Sequence, residues 1–147
     1  MRKRKAVWLM PILALAFVAA GCKDPYGACE KAAADIGTGI ATGMKTVDSL
    51  RVAGTISTQE ETNVLGYLKF ANDANGAFGA CAQAAHTAGS KAGSFTACAQ
   101  VFSQTLNNTT ELALIHVSNS QAEATITTIA NGVTAGVSAV LAALGGQ

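Results

Sequence analysis

The stretch Thr125-Ile126-Thr127-Thr128-Ile129-Ala130-Asn131-Gly132-Val133-Thr134-Ala135-Gly136-Val137 admits two readings, and the choice between them sets the fold class. Asn131-Gly132 flanked by Thr, Ile and Val is the signal of a β-hairpin closed by a type I′ turn. On a strand, however, Ile126 and Ile129 stand three apart and would point to opposite faces. On a helix the same residues fall into register: Ile126, Ile129, Val133, Val137, Val140 and Leu144 make one narrow apolar stripe. The helical reading wins, and it places a helix from about Ser120 to Leu144.

The rest of the chain follows the same period. Alanine is abundant, Pro25 is the one proline after residue 22, and apolar residues recur at spacings of three and four. Asp24-Pro25 reads as an N-cap with proline in the first helical position. The helix it opens carries Cys29, Ile36, Ile40, Met44, Val47 and Leu50 on one face, with Lys31/Asp35 and Asp48/Arg51 pairing on the solvent side. Gly54 ends it. Ser57-Thr58-Gln59-Glu60 is a capping box, and Glu60 and Glu61 suit the positive end of the helix dipole. The second helix runs from there to about Ala88 and buries Val64, Leu68, Ala71, Phe78 and Ala85. Gly89-Ser90-Lys91-Ala92-Gly93 is the next break. Ser94 is positioned to cap a third helix with the stripe Phe95, Cys98, Phe102 and Leu106. Asn107-Asn108-Thr109-Thr110 breaks the chain again, and Leu112 to Val117 reads as a buried helical turn. The expected fold is therefore all-α, an antiparallel bundle of about four helices rich in Ala and Gly.

The cysteines add a staple to this bundle. Cys29, Cys81 and Cys98 each follow an alanine, and Gly-x-Phe-x-Ala-Cys-Ala-Gln occurs twice, from Gly76 and from Gly93. Folding the first two helices back at Gly54 to Thr55 brings Cys29 level with Cys81. Folding the next pair at Gly89 to Ser90 brings Cys81 level with Cys98, so all three thiols gather at one end. Helix axes usually lie about 8 to 10 Å apart while a disulfide needs Cα atoms within about 6.8 Å, and the small neighbours of each cysteine permit that approach. Cys81 with Cys98 is the favoured bridge, since the loop is short and the settings match. Cys29 with Cys81 is the alternative. Otherwise Cys29 is left unpaired, as a buried small hydrophobe, a link to a partner or a mispairing hazard.

No catalytic residues emerge. There is no Gly-x-Ser-x-Gly, no phosphate loop and no pair of carboxylates on one helical face. A metal site from Cys29, Cys81, Cys98 and His86 is disfavoured, because no Cys-x-x-Cys pair is present and His86 turns away from Cys81 on a helix. His116 sits in an apolar run and reads as a core histidine. The expectation is a protein that is not an enzyme and holds no metal or cofactor.

The beginning of the chain carries an address. Met1-Arg2-Lys3-Arg4-Lys5 is followed by an apolar run from Ala6 to Ala20, long enough for a signal segment and short for a spanning helix. The run ends in Ala16-Phe17-Val18-Ala19-Ala20-Gly21-Cys22. This pattern resembles the type II signal peptide of bacterial lipoproteins, although Ala19 stands where that family prefers Leu. The resemblance implies cleavage between Gly21 and Cys22 and acylation of Cys22, so that residues 1–21 are a removed signal and residues 22–147 one lipid-anchored domain. Burial of acyl chains stabilises by roughly 0.8 kcal/mol per methylene, so several chains hold where one does not. Lys23, in place of an Asp after the cysteine, implies the periplasmic leaflet of the outer membrane. An oxidising compartment in turn favours the disulfide.

Removing 21 of 147 residues leaves 126, with six Lys and Arg against nine Asp and Glu, a net charge of −3. Nothing in that balance suggests nucleic acid as a partner. After Glu123 no formally charged side chain remains. Gly39-x-x-x-Gly43 and Gly132-x-x-x-Gly136 have the spacing of close helix contacts, here read as packing within the bundle. The expected function is non-enzymatic: binding of another envelope protein, or of an incoming protein, at the membrane surface. The alternative is membrane perturbation by insertion of the uncharged helix over residues 124–144, although its Thr, Asn and Ser side suits a bundle surface better than lipid. A weaker third reading is a small-ligand carrier using the bundle interior.

Overall fold

Pro25 fixes the first turn of a helix, and Asp24 precedes it in an extended conformation (φ −122°, ψ 93°). The Asp24 side chain makes no capping bond, so the helix start rests on the proline. The computed structural model describes residues 24–145. Its main helices are α1 (Pro25–Val52), α2 (Thr58–Thr87), α3 (Ala92–Leu106) and α5 (Ser120–Gly145), with the single turn α4 (Thr109–Leu112) and a 3-10 turn over Ala113–Ile115 between the last two. No strand occurs among the described residues.

Two glycines make the hairpins. Gly54 (φ 71°) and Gly89 (φ 64°) adopt the left-handed conformation that other residues resist. At the first, Gly54 N–H donates to Arg51 O at 2.9 Å and Thr55 N–H to Leu50 O at 2.9 Å. At the second, Gly89 N–H donates to His86 O at 3.0 Å and Ser90 N–H to Ala85 O at 2.9 Å. Both are Schellman endings, which satisfy the last carbonyls of a helix while reversing the chain.

The chain therefore runs up and down as an antiparallel bundle in which α1 packs on α2 and α5, and α3 packs on the same two. Its core is the set of stripes read from the sequence: Cys29, Ile36, Ile40 and Val47 from α1; Val64, Leu68, Ala71 and Phe78 from α2; Phe95, Cys98, Phe102 and Leu106 from α3; Ile126, Val133, Val137, Val140 and Leu144 from α5. Met44, Leu50 and Ile129 lie partly buried at its margin. Asn131-Gly132 continues α5 without a turn. At 15 residues α3 is half the length of α2, and the rest of its corner is filled by α4, the 3-10 turn and the buried Val117.

Four local expectations are corrected. Ser94 does not cap α3: the helix begins at Ala92 behind Lys91, because Gly89 has already completed the turn, and Ser94 N–H donates to Lys91 O at 3.0 Å within the first turn. Leu112 to Val117 is not one helical turn but the end of α4, the 3-10 turn and an extended exit at His116 (φ −77°, ψ 127°). That extension makes side chains alternate, so Ile115 and Val117 are buried and His116 faces solvent. His116 is thus a surface histidine, with Nδ1 2.8 Å from Glu123 Oε1. Arg51 reaches across the first hairpin instead of along α1 to Asp48, donating from Nε to Thr58 Oγ1 at 3.0 Å and lying 3.8 Å from Glu61. Lys31 and Asp35 pair along α1 as the spacing predicts.

Candidate functional site

The end of the bundle where α1 begins, α2 ends and α3 begins concentrates the chemistry of the chain. Cys81 and Cys98 form a disulfide with Cα atoms 5.8 Å apart. The approach is closer than helices with large interface residues permit, and the neighbours Ala82 and Ala99 are buried small side chains. Beside the bridge, Phe78 stacks on Phe102 with ring centroids 5.2 Å apart and planes 15° apart. The duplicated Phe-x-Ala-Cys segments do not meet as equals. Phe78 pairs with Phe102, which lies outside the repeat, while Phe95 of the second copy enters the core separately.

Cys29 is the third thiol at this end, free and with no exposed surface. Burial, and secondarily the charge of Asp24, pushes its pKa up to about 11, so it stays protonated and behaves as a small apolar side chain. His86 takes no part with the cysteines. Its ring stacks on Tyr26 at 4.1 Å between centroids, and the Tyr26 hydroxyl donates to Gln83 Oε1. These contacts clamp the start of α1 onto the end of α2. The set Cys29, Cys81, Cys98 and His86 is therefore not assembled, and no group of three or more metal-ligating side chains is found among the described residues. Gly21 and Cys22, the expected cleavage and acylation site, lie outside the described residues.

Two hollows flank the bridge on the outer side of α2 and α3. The larger, about 440 Å³, is an open groove lined by Ala84, Ala88, Ser90, Ser94, Ala97 and the disulfide. The smaller, about 140 Å³, runs between Ala74, Ala77, Phe78, Phe102 and Thr105. Their linings hold no ionisable group, so neither offers an acid or a base to a bound molecule, and the hydroxyls of Ser90, Ser94 and Thr105 have no base in the lining beside them.

The opposite end is held by one carboxylate. Glu60 Oε2 accepts from Ser57 N–H at 2.7 Å, closing the capping box, and Glu60 Oε1 accepts from Ser118 N–H at 2.6 Å and Ser118 Oγ at 2.8 Å. The backbone bonds from Ser57 and Ser118, followed by the hydroxyl bonds, hold its pKa down to about 2 from an ordinary 4.5. The reach to Ser118 spans 58 positions, and no local motif could announce it. Asn119 was likewise missed as the cap of α5, where its Oδ1 accepts from Ala122 N–H at 2.9 Å. Comparison with known protein families, curated proteins and solved structures gives no match, so the functional reading rests on these residues.

Proposed function

We propose that this chain is a lipid-anchored protein of the bacterial envelope, acylated on Cys22 and facing the periplasm from the outer membrane. It works without catalysis, by presenting a rigid helical bundle to another envelope protein or to an incoming one. One observation carries this reading: a basic start, an apolar run and Gly21-Cys22 are followed, three residues after the cysteine, by the helix that opens at Pro25. With that spacing the bundle has almost no slack from its anchor, which suits a surface held at a fixed place. The ends of α1 and α2, clamped by Tyr26 and His86 and bridged onward to α3, supply the stiffness. In vivo crosslinking of envelopes, followed by affinity capture of the parent and of Cys22→Ser, tests it. A specific adduct formed by the parent and lost from the unanchored variant is expected; capture of no partner by the parent counts against the reading.

A second reading keeps the anchor but makes α5 a membrane-active helix. The mean hydropathy of 1.5 over a window of Ser120–Gly145 favours it. Insertion would require α5 to abandon its buried stripe. Purified protein that leaves dye-loaded liposomes sealed rejects this second reading.

A further inference from the structure

The bridge between α2 and α3 is asymmetric. Cys81 is exposed, whereas Cys98 is 4% exposed and belongs to the core. The faces of the two helices explain the difference. On α2 the buried Phe78, Ala82 and Ala85 leave Cys81 on the outer side with Ala77 and Ala84, whereas on α3 Cys98 shares the inward face with Phe95, Ala99 and Phe102. Both cysteines line the open groove of about 440 Å³ and the smaller hollow of about 140 Å³. Around the groove Ala84, Ala88, Ser94 and Ala97 are too short to close over the bridge.

Thiol–disulfide exchange needs a thiolate to reach one sulfur while the other leaves, and two factors oppose each other here. Burial raises the pKa of a thiol and makes Cys98 the poorer leaving group, which favours attack on Cys98 and departure of Cys81. Access favours attack on Cys81, because the core covers Cys98. Access decides: a poor leaving group slows the step, whereas a sulfur that is not reached does not react. The packing beside the bridge stands without it. Phe78 stacks on Phe102, and the reversal at Gly89 is closed by its own hydrogen bonds to His86 and Ala85. Opening the bond leaves Cys98 in the core as a small apolar side chain.

We propose that Cys81 is the exchange site of the bundle, through which an external dithiol opens the bridge and the disulfide form of that dithiol closes it. A thiolate of the dithiol enters by the groove and bonds to Cys81 Sγ; the bond to Cys98 breaks, and Cys98 leaves as a thiolate that takes a proton from water. The second thiolate of the dithiol then attacks its own sulfur in the mixed disulfide. Cys81 is released and protonated, the dithiol becomes an internal disulfide, and two electrons have passed to the bridge. The second thiol is required, since Cys98, on a helix that sets its Cα 5.8 Å from that of Cys81 in the bridged state, otherwise recaptures Cys81. Cys29, with no exposed surface, takes no part. The exchange does not depend on acylation of Cys22.

Two measurements on the processed protein test it. Dithiothreitol should reduce the folded parent at a rate that stays flat as urea is raised below the unfolding transition, with helicity by circular dichroism unchanged. In the second, Cys98→Ala and Cys81→Ala, each confirmed as helical, are incubated with oxidised glutathione and mapped by mass spectrometry. Cys81 of the first should take glutathione faster than Cys98 of the second by about tenfold or more, and the two rates should converge in denaturant. Equal labelling of the folded variants, or faster labelling of Cys98, overturns the proposal. So does a reduction rate of the parent that climbs steadily with urea from zero, as exchange through unfolding would give, and this outcome decides even if a variant fails to fold.

Discussion

Ile36 of α1 occupies the space that a side chain at Gly136 of α5 would need: a Cβ built on Gly136 falls 2.8 Å from Ile36 Cγ1. The relationship is reciprocal, since a Cβ on Gly43 of α1 falls 2.6 Å from Ile129 Cγ2 of α5. Each helix thus sends a β-branched knob into a glycine notch of the other. Two such contacts, one on each side of the seam's midpoint, fix both the separation and the register of α1 and α5.

Substitution separates these glycines from their partners in the same sequence motif. Gly136→Ala and Gly43→Ala force stiff isoleucines to move and should each destabilise the bundle by about 1–3 kcal/mol. Gly132→Ala and Gly39→Ala meet nothing within 4 Å and should stabilise by up to about 1 kcal/mol through helix propensity. Urea unfolding followed by circular dichroism ranks the four. Equal losses at all four would show that the notches are not where the helices touch.

The spacing of Gly39 with Gly43 and of Gly132 with Gly136 was legible as a contact motif, but which member of each pair made the contact was not. That depends on the rotation of one helix against the other. The four main helices were legible because their apolar stripes are continuous and glycine stands at the reversals. Cys81 and Cys98 were legible because the second hairpin, folding between Gly89 and Ser90, brings positions equally far from that fold together. Polar members of the core were not: Tyr67 and Asn75 are buried, and Asn75 Nδ2 donates to Ala33 O at 2.8 Å on the facing helix. A polar head interrupts an apolar pattern, and only the opposing carbonyl explains its place. His116 was misread for the related reason that a short run of apolar residues has one periodicity in a helix and another in an extended exit.

Glu60 makes the stability depend on acid. Its pKa in the folded protein is about 2 against an ordinary 4.5, so the unfolded chain binds the proton more tightly. Its stabilising contribution is complete above pH 4.5 and is lost as the pH falls toward 2. In urea titrations the parent should exceed Glu60→Gln in stability at pH 6, and the gap should close over that window. A gap that stays constant from pH 6 to 2 contradicts the latch between Ser57 and Ser118.

The cysteines should behave as two classes. Reducing Cys81 and Cys98, which close a loop of 17 positions, should cost about 3 kcal/mol. Cys29, buried and held up to about 11, should resist alkylation at pH 8 in the folded protein and react at once in denaturant. Thiol labelling read by mass spectrometry distinguishes them. Rapid labelling of Cys29 in the native state would place it at the surface.

Intact-mass analysis of the membrane-extracted protein, before and after reduction, tests the anchored and bridged bundle most directly. The account predicts a chain that begins at Cys22, carries the added mass of its acyl groups and gains a single pair of hydrogens on reduction. A chain that retains residues 1–21 without acyl mass, or one that gains nothing on reduction, contradicts it.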